Sequence, residues 1–346
     1  MIRRNLIFLL TVFAVSCIRT ADHDETGSEK EISFSPGFSA TAVEAKSFLY
    51  DSSNMIQDGH GNFMVTAYRT GTSQRHFLYQ GHSLGFDQIY YFKDADEWRF
   101  YDAGINNFYK RYWPESYGLD FFAYMPYDLT DCHVTPGGYS EGKGPAFSCN
   151  LPIDQTNMEK AVEFVYAYAT GQTDETADGK VNLTFVHPLS AVVFKLGNAH
   201  GNTTVHSIGF KNIYHQGTFT ATPSESVQSG ITSADWTITG SPAEPSITVN
   251  RIVPDLQIGS TIGGPYLVLP QSLSNTAGGV KLAISFTWNG ATTNAEVSPA
   301  TGTLTSWEPG KIYTYTLNLG DPKEDVIANV SVDPWAGGYD NDINVQ

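Results

Sequence analysis

The segment Val181-Asn182-Leu183-Thr184-Phe185-Val186-His187-Pro188-Leu189-Ser190-Ala191-Val192-Val193-Phe194-Lys195-Leu196 holds two strand signals in succession. Val181, Leu183 and Phe185 alternate with Asn182 and Thr184, the period-two pattern of a strand, and Ala191 to Leu196 is an almost unbroken apolar run of strand length. His187 and Pro188 separate the two. Runs of the same kind recur on both sides. Before this segment they are Glu31 to Phe34, Asn62 to Tyr68, Gln88 to Phe92, Trp98 to Tyr101, Asp120 to Tyr124 and Glu163 to Ala169. After it come Thr204 to Ile213, Gly217 to Ala221, Asp235 to Ile238, Ser246 to Val249, Pro265 to Leu269, Val280 to Trp288, Lys311 to Leu319 and Ile327 to Val332. Only Thr156 to Tyr168 approaches helical spacing, with Thr156 as a cap and Glu159 three residues on, and it predicts a short helical turn running into a strand. The chain therefore reads as all-β, and strands at this spacing make β-sandwiches.

Length and composition agree. A chain of 346 residues accommodates two domains with cores of their own. The polar run Gly171 to Gly179 reads as a linker, so the sequence predicts two sandwiches in tandem, residues 31–176 and 177–346. Hydrophobic residues make up 41%, aromatic 13% and charged only 16%, with 32 Gly and 17 Pro, which suits strands joined by turns and is too apolar for a disordered chain. Net charge is −16; Arg3 and Arg4 are the only charges in the first 17 residues, which leaves −18 on the rest. With no basic stripe to neutralise phosphates, nucleic acid is excluded as a partner.

The first 17 residues are a targeting segment. Met1 to Arg4 is basic and Leu6 to Val15 is an apolar run of about ten residues, too short to span a bilayer of roughly 30 Å. Ala14-Val15-Ser16-Cys17 then places a small residue before a thiol, the pattern of a bacterial lipoprotein signal in which Cys17 takes the lipid through sulfur. Residues 1–16 are thus read as signal peptide and 17–30 as a polar tether, with outer-membrane lipid as the partner of Cys17. Asp22-His23-Asp24-Glu25 within the tether is similar to the acidic export signals of surface lipoproteins.

Several other patterns bear on chemistry. Cys132 and Cys149 lie 17 apart and suit a disulfide in an exported protein; a metal site through His133 lacks ligands, so no metal or other cofactor is expected. Gly81-His82-Ser83-Leu84-Gly85 fits the G-x-S-x-G pattern of hydrolases, but Phe86 to Phe92 reads as a strand where that turn must open a helix. Asp174 to Gly179 begins like a calcium loop and fails at Phe185, where the twelfth position needs Glu. Tyr109, Tyr112, Trp113 and Tyr117 either cover a core or form a platform for sugars. No catalytic group emerges, and the chain is read as a non-enzyme.

Taken in order, Ile32-Ser33-Phe34, Phe63 to Tyr68, Phe121 to Pro126, Val181 to Leu196, Trp307-Glu308-Pro309-Gly310-Lys311-Ile312-Tyr313-Thr314-Tyr315 and Val330-Ser331-Val332-Asp333-Pro334-Trp335 resemble the fimbrillin family, the subunits of fimbria and related surface lipoproteins of gut and oral anaerobes. The resemblance implies two transthyretin-like Greek-key sandwiches, export to the outer membrane and the cell-surface fimbrium, and partners that are other fimbrial subunits together with a host or bacterial surface ligand. It further implies assembly by strand exchange. Proteolysis removes a first strand, here about Ile32 and Phe34, and a neighbour's strand fills the groove; the C-terminal strand with Val326, Ala328, Val330 and Val332, continuing to Trp335, is the donor. Family proteases that cut after Arg find none between Arg19 and Arg69, and Lys46 stands where that Arg is expected. The alternative function is that of a monomeric glycan-binding surface lipoprotein.

Overall fold

The structure is a computed structural model that describes residues 27–38, 62–74, 86–92, 97–102, 104–126, 128–140, 142–152, 163–177, 179–198, 203–223, 231–243, 258–274, 278–320 and 326–335. Cys17, Lys46, the Gly81 to Gly85 motif, Thr156 to Val162 of the expected helical turn, and the Ser246 to Val249 run lie outside the described residues. The described chain is almost entirely strands, with one 3-10 turn at Ser233–Asp235. In the first half these are β1 (Gly27–Glu31), β2 (Ser33–Phe38), β3 (Asn62–Arg69), β4 (Asp87–Phe92), β5 (Glu97–Asp102) and β6 (Asn107–Tyr109). They continue with β7 (Tyr112–Pro114), β8 (Leu119–Met125), β9 (Val134–Tyr139), β10 (Pro145–Asn150), β11 (Val165–Gln172) and β12 (Lys180–Phe185). The second half holds β13 (Ser190–Asn198), β14 (Thr203–Lys211), β15 (Gln216–Thr220), β16 (Trp236–Thr239), β17 (Thr261–Val268) and β18 (Gln271–Ser272). It ends with β19 (Lys281–Trp288), β20 (Ala291–Val297), β21 (Ser306–Trp307), β22 (Lys311–Asn318) and β23 (Ile327–Pro334).

The largest sheet runs β11-β8-β3-β4-β5-β2-β12, with β6 on β5. Its two ends meet. Tyr166 of β11 and Val186, just past β12, exchange both backbone hydrogen bonds, at 3.0 and 2.9 Å, so the sheet wraps round a single interior. That interior is filled by Phe34, Phe63, Val65, Phe100, Phe121, Ala123, Val181, Leu183 and Phe185. β12 lies past the 176/177 boundary expected from the sequence, yet by pairing it belongs to this first sheet; the polar run before it is the turn from β11 to β12.

The second half forms a sandwich from β17-β13-β22-β23 and β14-β19-β20, closed over Val192, Phe194, Leu196, Phe210, Ile284, Trp307 and Tyr315. A further sheet, β16-β15-β10-β9, takes two strands from each half. Beneath it lies a core common to both: Met64, Tyr68, Phe122, Tyr124, Phe147 and Tyr166 from one side, Ala191, Val193, Phe219, Trp236, Leu267 and Leu269 from the other.

This shared core explains the unbroken apolar runs. Along a strand successive side chains point to opposite faces, so one polar face normally shows in the sequence. In β8 Phe121 and Ala123 enter the first interior while Phe122 and Tyr124 enter the shared core, and all seven residues are buried. The same division holds in β13, with Ala191 and Val193 on one side and Val192, Phe194 and Leu196 on the other.

At the centre of the shared core the Phe147 ring is fully buried and lies 4.9 Å from Phe164, 5.5 Å from Tyr124, 5.6 Å from Tyr166 and 6.2 Å from Phe219. Phe147→Ala should lower the unfolding free energy by about 3–5 kcal/mol. Because rings from both halves meet there, urea denaturation followed by tryptophan fluorescence and by far-UV circular dichroism should give one coincident transition, shifted as a whole in the variant.

Candidate functional site

The N-terminal and C-terminal strands occupy different positions in the sheets: β2 lies between β5 and β12, and β23 borders the sheet of β22. Ile32 and Phe34 are each 2% exposed and point into the first interior. Phe34 meets Phe63, Phe100 and Phe121 edge-on at 5.5 to 5.8 Å between ring centres. Burying such a ring contributes roughly 1.5–3 kcal/mol. Pro36 and Gly37 lie near the end of the strand.

The two edges of β2 are held unequally. Toward β12 the pairing is parallel and continuous, from Ser33 with Lys180 to Phe38 with Phe185, six residue pairs in all. The Ser33 hydroxyl adds a bond to the Gly179 carbonyl at 2.6 Å. Toward β5 only Phe34 and Trp98 pair, and a crevice of about 130 Å³ lined by Glu31, Ser33, Glu97, Trp98, Arg99 and Lys180 opens beside them. The preceding β1 is fastened by pairing with β7, by the Ile32 N–H donating to the Arg111 carbonyl at 2.8 Å, and by exposed ion pairs Lys110–Glu31 and Lys30–Asp174. Such surface pairs contribute little, so backbone pairing and the two buried apolar side chains carry the attachment.

The C-terminal strand β23 pairs antiparallel with β22 at the border of its sheet, Val330 opposite Tyr315 and Val332 opposite Tyr313. Val326 and Val330 are half-buried against the second sandwich, and Val332 is 46% exposed. Ala328 lies in the strand, opposite neither of those tyrosines. Beyond β23, Trp335 is buried and its ring lies flat on His187, 4.4 Å away with 5° between planes. The other stacked neighbour of His187 is Phe38, the last residue of β2, at 5.8 Å. His187 Nδ1 and Glu163 Oε2 share a buried hydrogen bond of 2.8 Å. One imidazole thus touches the ends of both terminal strands, a contact that strand periodicity does not reveal.

The remaining candidates take structural positions. Cys132 and Cys149 are free thiols, both buried, and no bridge joins them. Cys132 Sγ donates to the Glu163 carbonyl at 3.5 Å and Cys149 Sγ to the Phe147 carbonyl at 3.9 Å, so each faces its own acceptor. Trp113 is fully buried against Phe121, and Tyr109 packs on Phe100; Tyr112 is exposed. The cluster covers the first interior and offers no tryptophan face to a sugar. Among the described residues no group of three or more His, Cys, Asp and Glu side chains could hold a metal ion, and no helix is long and apolar enough to cross a membrane.

The described strands thus form an all-β fold whose first interior is completed by a strand near the N-terminus, with a second strand bordering a sheet near the C-terminus. The chain belongs to the fimbrillin-like family, whose model matches residues 52–335. Among solved structures it is similar to a fimbrial protein of Bacteroides vulgatus, with a TM-score of 0.60 at 17% identity over 89% of this chain and 100% of that one. Two proteins assigned to cell adhesion share the fold: one from Bacteroides ovatus, TM-score 0.51 at 12% identity over 92% of this chain and 100% of that one, and one from Bacteroides uniformis, TM-score 0.50 at 17% identity over 88% and 99%. No curated protein matches in sequence.

Burial pushes the Cys149 thiol up from 9.0 to about 12, and raises Cys132 further with the help of nearby Glu163, Asp131 and Asp128. A thiol raised in this way keeps its proton in the folded chain after the unfolded chain has released it. Its contribution is therefore intact below pH 9 and is lost as the pH climbs toward 12. Urea midpoints measured from pH 8 to 11 should be level at first and then fall; Cys132→Ala together with Cys149→Ala should make the fall between pH 9 and 10 shallower, while the buried tyrosines, also raised by burial, keep a fall above pH 10. Native protein should react slowly with a thiol reagent at pH 8, both thiols becoming accessible in urea.

Proposed function

We propose that this chain is a structural subunit of a cell-surface fimbrium that joins its neighbours by strand exchange and supports adhesion. The observation that carries the proposal is the position of β2. It is a short N-terminal strand that alone connects β5 to β12 and so closes the first interior. Its removal would leave the six-pair edge of β12 without partners and uncover Phe63, Phe100, Phe121 and Leu183. Unpaired backbone groups and bare apolar surface are what an incoming strand satisfies, since main-chain bonds supply affinity and alternate side chains fill the vacated sites.

The donor is the β23 strand of a second copy or of a related subunit. Val330 of that strand and Val326 just before it, both partly buried, are small enough to follow Ile32 and Phe34 into such a groove, and the far edge of the strand already faces away from the sheet. Export through the signal peptide, lipidation of Cys17 and cutting near Lys46 complete the scheme: the lipid holds the chain at the outer membrane until cleavage frees the mature portion. Trp113 in the core removes the basis for a sugar platform among Tyr109 to Tyr117, which favours the assembly role over a monomeric glycan binder using those rings.

Full-length protein should stay monomeric in solution, whereas protein cut between Phe38 and Asn62 should form ladders of higher mass that survive mild SDS treatment. Val330→Asp should abolish the ladder while leaving the uncut monomer folded, because a charge is costly in the groove and tolerable at a half-buried border. Cut protein that remains monomeric at high concentration would refute the scheme. N-terminal sequencing and lipid analysis of envelope protein locate the cut and identify the Cys17 adduct.

A further inference from the structure

A cavity of about 470 Å³ lies away from both terminal strands, between the ends of β3, β8 and β11 and the β9–β10 turn. Its size falls within the roughly 300–1,000 Å³ of small-molecule sites. The wall is aromatic: Phe122, Tyr139 and Tyr168 line it. Tyr139 is fixed there, its ring stacked on buried Tyr68 at 3.6 Å and its hydroxyl donating to the Thr72 carbonyl at 3.2 Å.

Polar groups converge on the same space. Asp120 is 8% exposed, and its Oδ1 accepts from the Thr70 hydroxyl at 2.9 Å and from the Gly171 N–H at 2.7 Å. Both bonds fall on one oxygen. Oδ2 takes no hydrogen bond from a described residue, so the carboxylate keeps acceptor capacity at the cavity. Thr170 and Lys143 add donors. The rim carries Gly71, Gly142 and Gly171, all at positive φ, and a Cβ at any of them would meet open space. The mouth is therefore wide and free of side chains at three points.

The lining selects among ligand classes. A phosphate would face the Asp120 carboxylate with one lysine to offset it. An amine would face Lys143. A purely apolar ligand would strip water from the carboxylate, the hydroxyls and the ammonium without replacing their bonds. A neutral polyol satisfies all of them, since each hydroxyl both donates and accepts and the carbon face of a sugar ring packs on aromatic surface. We propose that this cavity binds a neutral saccharide unit, with Asp120 and Lys143 as its polar contacts and Tyr139 and Tyr168 as its wall. The proposal does not depend on strand exchange.

The test uses the full chain on an array carrying host-type mucin and N-linked glycans alongside bacterial polysaccharide fragments, followed by calorimetric titration with the best-retained glycan. Which set is retained identifies the source of the ligand. Asp120→Asn keeps an oxygen for Thr70 and Gly171 but replaces the second acceptor by a donor, so it should weaken binding about tenfold or more with little change in thermal midpoint. Lys143→Ala changes an exposed side chain, leaves folding untouched, and should weaken binding severalfold, which keeps the test valid if Asp120→Asn proves unstable. Absence of binding to every glycan, or affinity unchanged in both variants, overturns the proposal.

Discussion

The parallel ladder between β2 and β12 is the constraint on which the rest of the first half depends. The other strands of that sheet follow one another through antiparallel neighbours, but the two ends of the series approach without pairing until β2 lies between β5 and β12. Parallel pairing requires the two strands to be far apart in sequence. Here the Ser33 hydroxyl reaches the Gly179 carbonyl across 146 positions. The interior built of Phe34, Phe63, Phe100 and Phe121 is sealed by a segment that local sequence does nothing to hold in place.

Behind this sheet the shared core joins the halves. Its rings come from strands on either side of His187, and a sheet with two strands from each half lies over it. The stack of Phe38, His187 and Trp335 lies at the edge of that core and ties the ends of β2 and β23 to one imidazole, itself hydrogen-bonded to Glu163. Displacing Phe38 uncovers one face of that ring. The ends of the two terminal strands thus meet through a contact of three rings.

Strand location was legible in the sequence, and strand partnership was not. Asp120 to Tyr124 and Ala191 to Leu196 stood out because both of their faces are buried, which leaves apolar residues at every position. The runs around β6, β7, β9 and β20 carry no such signal, for the opposite reason. Val134 to Tyr139 contains Pro136 and two glycines, and Ala291 to Val297 is mostly exposed, so neither shows the alternation of a half-buried strand. Gly171 to Gly179 is polar because a surface turn is solvated; polarity cannot tell a turn within a sheet from a linker between domains. Ile32 and Phe34 were found as alternating apolar residues, but the rings that receive them, and the meeting of Phe38, His187 and Trp335, depend on contacts distant in sequence. Two cysteines at an inviting spacing turned out to be packed thiols, because spacing along the chain does not fix the direction of a side chain.

The long reach of the β2 ladder also sets an order of events in biogenesis. A chain emerging from its N-terminus presents Gly27–Phe38 early, yet the partner edge at Lys180–Phe185 follows only after some 140 further residues. Contacts of such separation form late, since the entropy of closing the intervening loop must be met first. Until Lys180–Phe185 is in place, the first interior lacks the ladder that closes it, and Phe34 has no finished pocket to enter.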